Sequence, residues 1–193
     1  MARPREFEPE EALDAIMRVF WRNGFEGTSM QDIEAATGLN KQSLYRIYAD
    51  KRAMFLAALR RYDETEVARA GAILAAPGSP RERFRRLFDD VLSETKEDGP
   101  RRGCFLCNAS ADEAQLDDDA RSFVNGAMRR VERAFRQALA TGAPYARDDR
   151  LRDMTAAKLL AFYFGLRVLI KAAMPAAMLK AGVRQTLEDI ASA

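Results

Sequence analysis

Apolar residues recur at spacings of three and four along almost the whole chain, and no stretch alternates long enough to form a strand. A side chain returns to the same helix face about every 3.6 residues, so this pattern restricts the fold to packed helices. The first helix is expected from about Pro9 to Asn23, with Leu13, Ile16, Val19 and Phe20 as its stripe. Pro9 suits a first turn, and Gly24 and Gly27 end the helix. Thr28 or Ser29 then caps a short helix that stops at Gly38, and Asn40 caps another through Ile47. A long helix follows from Lys51 to roughly Ala75, and AAPGSP, residues 75–80, is the clearest linker. Phe84, Leu87, Phe88, Val91 and Leu92 mark the next helix, which Asp98-Gly99-Pro100 breaks. Further helices are expected from near Cys104, over about Asp118–Ala140, Asp149–Ala173 and Pro175–Ile190, with a break at Thr141–Pro144. The expected fold class is all-α, with nine helices, no sheet and no internal repeat.

With 193 residues, 48% of them hydrophobic and 31% charged, the chain can build a core and does not resemble a disordered segment. Its net charge of +2 does not by itself indicate a nucleic-acid partner. The charge is unevenly spread, however: from Leu39 to Tyr62 six cations stand against one anion. Such a stretch is either a footprint for a polyanion or a solvated helix face. There is no histidine, which removes Ser-His-Asp and Cys-His catalysis, His-ligated zinc and the helical-bundle di-iron motif. No cofactor is expected. Two cysteines, Cys104 and Cys107, are too few for a disulfide-stapled secreted scaffold. The opening MARPREFEPEEAL lacks the apolar segment of a signal peptide, and Leu159–Ile170 is far shorter than a membrane span and carries Arg167. The chain is therefore expected in the cytoplasm, with reduced thiols and no membrane partner.

Residues 29–48, SMQDIEAATGLNKQSLYRIY, form the pattern of a short helix, a glycine-containing turn and a second short helix. Ile33 and Ala36 are expected to face inward, Gly38 to permit the turn, and Leu39 and Leu44 to pin the second helix. This is a helix-turn-helix, whose second helix enters a major groove about 12 Å wide while the first crosses the phosphate backbone. An ordinary helical hairpin shares the spacing. The second helix carries Lys41, Gln42, Ser43, Tyr45 and Arg46, a set able to address both base edges and phosphates, and both readings stay open on the spacing alone.

The segment FWRNGFEGTSMQDIEAATGLNKQSLYRIYADKRAMF resembles the DNA-binding domain of the TetR family. The resemblance rests on Phe20, Gly24-Phe25, Thr28-Ser29-Met30, Asp32-Ile33, Gly38-Leu39-Asn40, Leu44-Tyr45, Tyr48 and Asp50-Lys51, and covers about residues 8–60. Tyr48 stands where Phe is usual, and Arg46-Ile47 where a His-Tyr pair is common. The resemblance implies a homodimeric, ligand-responsive regulator, usually a repressor, that binds double-stranded DNA at a palindromic operator. It divides the chain into a DNA-binding domain, residues 1–52, and an all-helical ligand-binding and dimerisation domain, residues 53–193. By the same resemblance Tyr45 contacts phosphate and Tyr48 is a packing aromatic. Thr28 is expected at a helix N-terminus that can hold a phosphate, and Lys51 is expected to reach the backbone. Lys41 and Gln42 are the candidates for base readout, since lysine prefers guanine and glutamine adenine.

In the second half, Leu159–Ile170 leaves almost no polar side, so it must be buried on two sides. One side can be its own core and the other a partner subunit, which matches the four-helix dimer bundle the family implies; a buried central helix of a monomer is the alternative. The expected interface comprises Phe164, Gly165, Val168, Leu179, Val183 and Leu187. Cys104 follows Arg101-Arg102-Gly103 at an expected helix start, a setting that lowers a thiol's pKa, with Cys107 one turn on as a resolving partner. An Arg-Gly-Cys segment is similar to that of a TetR subgroup containing electrophile- and oxidant-sensing repressors; plain burial of both thiols is the alternative. Phe88, Phe105, Asn108, Phe123, Phe162 and Tyr163 are candidates to line a ligand pocket, and an inducer is expected to be a small apolar molecule. A rival of another class is an all-helical Cys-x-x-Cys thiol peroxidase or disulfide reductase, which would leave residues 8–60 unexplained.

Overall fold

The computed structural model describes residues 9–95, 101–111 and 117–190. Its helices are α1 (Pro9–Asn23), α2 (Met30–Thr37), α3 (Lys41–Ile47), α4 (Lys51–Tyr62), α5 (Ala68–Ala75), α6 (Pro80–Leu92), α7 (Phe105–Ala111), α8 (Asp118–Leu139), α9 (Asp149–Lys171) and α10 (Ala176–Glu188). A π-helical turn, Asp63–Val67, joins α4 to α5 without a break, so Lys51–Ala75 is the single long rod expected. Counted that way there are nine helices and no strand among the described residues. The expected break at Asp98-Gly99-Pro100 lies outside them. No helix of the described residues is long and apolar enough to cross a membrane.

Local chemistry explains the boundaries. Gly24 leaves α1 at φ +74° with its N–H on the Phe20 carbonyl at 2.8 Å. Ser79 opens α6 with a capping box to Glu82, and Pro80 occupies the first turn, where a missing N–H costs nothing. Asp117 and Asp148 cap α8 and α9.

Two cores result. In the first, Ile16, Phe20 and Trp21 of α1 pack on Ile33, Leu44, Phe55, Leu59 and Tyr62. Phe105 of α7 belongs to it, edge-on to Phe55 at 5.6 Å and to Tyr62 at 5.7 Å. The second core gathers Leu74, Phe84, Phe88, Phe135, Leu159, Tyr163, Leu166 and Ile170 with Leu179, Val183 and Leu187 of α10. Helix α9 buries only one face; Leu151, Met154, Gly165, Val168 and Leu169 remain exposed on the other.

Candidate functional site

Caps fix the two short helices against each other. Ser29 Oγ accepts from the Asp32 N–H at 3.1 Å while Asp32 Oδ2 accepts from the Ser29 N–H at 2.7 Å. Those bonds from the Ser29 side chain and backbone hold the Asp32 carboxyl below its ordinary range. Gly38 ends α2 at φ +71°, a left-handed corner that glycine takes without strain. Across it the Glu34 carboxylate accepts from the Lys41 N–H, and Asn40 Oδ1 accepts from the Ser43 N–H at 2.8 Å. Asp50 Oδ1 starts α4 by accepting from the Ala53 N–H at 2.8 Å.

Fully buried Leu44 sets the roll of α3, so Lys41, Gln42, Tyr45 and Arg46 all face solvent. At i, i+1, i+4 and i+5 they share one side of the helix. Tyr45 is 39% exposed and Ile47 52%, large surfaces to leave in water. The Lys41 ammonium lies 5.7 Å from the Tyr45 ring centre. Ser43 is half-buried, its N–H taken by the cap. At the start of α4 the half-buried Lys51 places its ammonium 4.5 Å above the Phe25 ring, which the Arg52 guanidinium also faces at 5.6 Å. The cationic stretch is thus a capped helix with an exposed polar side, followed by a second helix start carrying two ordered cations.

Two expectations here need correction. Thr28 is 1% exposed and its hydroxyl donates to the Gly24 carbonyl at 2.7 Å. Its side chain staples the turn, and Ser29, one residue on and in extended backbone, takes the cap. Ala36 is exposed, and Ile33 is the one inward anchor of α2.

Cys104 sits immediately before α7 and is buried, and Cys107 is half-buried. The Tyr62 hydroxyl donates to Cys104 Sγ at 3.6 Å. Burial alone would push this thiol up, but the Cys107 contact, the positive charge of Arg167 and the Tyr62 hydroxyl together bring it down to about 6. Cys107 is pushed the other way, by its contact with Cys104 and by burial. The charge acting on Cys104 is therefore Arg167 of α9, not the expected Arg101 or Arg102. Arg101 is exposed, and the Arg102 guanidinium stacks 4.2 Å from the Trp21 ring. Arg167 is 3% exposed and donates to the Gly103 carbonyl at 2.8 Å, to Glu94 Oε1 at 3.2 Å and to the Tyr163 hydroxyl at 3.4 Å. Gly103, at φ +70°, has to be glycine: a side chain there would meet the Arg167 carbonyl at 3.0 Å. Sequence reasoning missed Arg167 as a site residue; its one signal was a lone cation in an otherwise apolar run.

The expected pocket residues do not converge. Phe105 and Phe123 belong to the first core and Phe88, Phe162 and Tyr163 to the second. Asn108 bridges the Trp21 and Arg102 carbonyls, at 3.3 Å from each. Phe88, Phe105, Phe162 and Tyr163 pack against other rings, and no described cavity is lined by more than one of the six. The expected interface also needs correction. Leu179, Val183 and Leu187 form the inward stripe of α10 and are buried in their own chain, because the second core needs them. Phe164 is half-buried, its ring 5.3 Å from Tyr163. Gly165 and Val168 do face outward, and a side chain at Gly165 would meet nothing within 4 Å. Beside it Phe162, Leu169, Met178 and Gly182 line an apolar groove of about 270 Å³.

Residues 12–58 match the model of the bacterial regulatory proteins of the tetR family, and residues 80–186 that of the tetracyclin repressor-like C-terminal domain. The chain is 31% identical over 139 residues to the HTH-type transcriptional regulator YezE of Bacillus subtilis (strain 168), covering 72% of each chain. It is 33% identical over 108 residues to the transcriptional repressor ComR of Escherichia coli (strain K12), covering 55% of this chain and 51% of that one. Among solved structures it is similar to a cysteine mutant of the TetR-family regulator CifR complexed with 26-base-pair double-strand operator DNA. That match has a TM-score of 0.82 at 27% identity and covers 97% of this chain and 99% of that one. Family models thus cover both halves of the fold: the chain belongs to the TetR family and is a DNA-binding transcriptional regulator.

Proposed function

We propose that the chain is a homodimeric repressor that reads a palindromic operator with α3 and releases it when Cys104 is modified. The observation that carries the reading half is the rigidly capped α3, whose Lys41, Gln42, Tyr45 and Arg46 share an exposed side above buried Leu44. Lys41 and Gln42 read base edges, while Tyr45, Arg46 and Lys51 hold phosphates. The dimer forms through the outer face of α9 and α10, where Gly165, Leu169, Met178 and Gly182 offer an apolar surface that lets two backbones approach. Relatives named as repressors, and a structural neighbour bound to operator DNA, support the same reading.

Release begins at the Cys104 thiolate, which attacks a peroxide oxygen to give a sulfenic acid and an alcohol or water. The Cys107 thiol then condenses with it, forming a disulfide and expelling water. Either product disturbs a residue whose neighbours, Gly103 and Tyr62, join α9 and α4 to the first core. The thiol peroxidase or disulfide reductase alternative explains the two cysteines but neither matched domain. A gel shift with the chain's own upstream DNA tests the proposal. Dilute peroxide should release the wild type and leave Cys104→Ser bound, with Cys107→Ser intermediate. Equal release from wild type and Cys104→Ser would remove the thiol switch and leave DNA binding standing.

A further inference from the structure

Helices α6 and α10 leave between them a groove of about 750 Å³, in the range of about 300–1,000 Å³ that small-molecule sites occupy. Its floor is apolar, made by Leu92 at the end of α6 and by Val183 and Leu187 of α10. Its walls are cationic: Arg81 and Arg85 come from α6, and Lys180 and Arg184 from α10. Within each helix the two cations stand four residues apart, on one side and one above the other. Like charges at that spacing repel and disfavour the helix that carries them. Here two such pairs also face the same groove.

Two carboxylates, Glu82 and Asp89, stand among the four cations of the lining and offset part of this charge. Glu82 lines the groove and caps α6, its Oε2 accepting from the Ser79 N–H at 2.8 Å and the Ser79 hydroxyl at 3.0 Å; those bonds, and then the charges of Arg85 and Arg86, hold its carboxyl below the ordinary range. Asp89 is the other carboxylate of the lining. Arg85, Lys180 and Arg184 form no ion pair with another described residue. A rim in which cations outnumber carboxylates four to two among the described lining residues, over an apolar floor, matches one ligand chemistry: an anionic head on a short apolar body.

The groove is separate from the two surfaces already assigned. At about 100° per residue, Lys180 and Arg184 lie on one flank of the buried Val183 stripe, and Gly182 and Met178 on the other. The proposed dimer face uses the second flank, so the groove stays open when two chains associate. It contains no residue of α1 to α4.

We propose that the α6–α10 groove binds an amphipathic organic anion. Its carboxylate or phosphate head is held by Arg85, Lys180 and Arg184, and its apolar body lies on Leu92, Val183 and Leu187. Guanidinium groups suit both heads, because each presents paired donors to paired oxygens.

Calorimetric titration of the full chain with octanoate, octyl phosphate, octanol and octylammonium tests this. Octanoate or octyl phosphate should bind with one site per chain, and the tighter of the two identifies the preferred head. Octanol should bind more weakly and octylammonium not at all. The Arg85→Ala/Arg184→Ala variant alters only exposed side chains and should weaken the anion about tenfold or more, as expected for losing charge-assisted bonds. Arg85→Glu/Arg184→Glu should invert the preference and take up octylammonium, a gain that a misfolded chain would not produce. Binding of the anions within about twofold of octanol, anion binding unchanged in the alanine variant, or no binding of either anion would overturn the proposal.

Discussion

Arg167 of α9 and Trp21 of α1 donate to the same acceptor, the Gly103 carbonyl, at 2.8 Å and 3.2 Å. The outer face of α9 is the proposed dimer surface, and α1 carries the helix-turn-helix. One backbone oxygen therefore joins the helix that would set the spacing of two subunits to the helix that mounts the reading head. Cys104 is the next residue in the chain.

That junction should be measurable. Trp21→Phe removes the indole donor and leaves part of the indole's space empty beside Tyr62 and Arg102, so it should cost more in urea denaturation than the about 0.5–1.5 kcal/mol that one buried hydrogen bond is worth. DNA affinity should fall while base preference stays the same, since Trp21 is buried and reads nothing. A shifted base preference would place Trp21 in the reading surface instead.

The Cys104 thiol predicts a pH dependence. Its folded value of about 6 lies below the ordinary 9.0, so the folded chain is deprotonated there while the unfolded chain is not. The unfolded state binds the extra proton in that window, and stability rises with pH. The contribution is complete above about pH 9 and is lost as pH falls through about 6. Wild type should therefore lose more stability than Cys104→Ser between those limits. In a Cys107→Ser chain, where the hydroxyl still donates, the alkylation rate of Cys104 should level off near neutral pH. A rate that keeps climbing toward pH 9 would return Cys104 to an ordinary buried thiol.

Assembly separates two kinds of residue on α10. Met178→Glu introduces a charge on the exposed face and should leave helicity intact while converting dimer to monomer. Val183→Asp buries an unpaired charge in the chain's own core and should unfold it, at several kcal/mol. Gly165→Leu meets open space within one chain and should act only on association. Light scattering and circular dichroism together distinguish these outcomes. Dimers persisting in both Met178→Glu and Gly165→Leu would move the interface elsewhere.

The architecture was legible in the sequence because it depends on local rules. Capping residues such as Ser29, Asn40, Asp50 and Ser79 stand where the chain turns, and apolar periodicity marks each helix between them. The reading helix was legible for the same reason, since Leu44 alone fixes which side is exposed. Direction was harder to infer where a helix has two apolar sides. Leu179, Val183 and Leu187 share a stripe in the sequence, but only the position of α6 decides that it faces inward. Thr28 and Ser29 compete for one cap, and backbone geometry decides between hydroxyls that composition cannot rank. Arg167 was missed because its partners, Gly103 and Glu94, lie 64 and 73 residues away.

Operator selection followed by fluorescence anisotropy determines whether α3 reads base edges. Genomic fragments enriched by the wild-type chain should share a palindrome with half-sites about 34–36 Å apart. Binding should fall steeply with salt, each neutralised phosphate adding a slope of about −0.9 in log K against log salt. Gln42→Ala should lose roughly 1–3 kcal/mol of discrimination at one base pair of each half-site. Tyr45→Phe and Lys51→Ala should instead weaken all sequences alike. If no palindrome is enriched, or if Gln42→Ala weakens every operator variant equally, the assignment of α3 as the reading helix is contradicted.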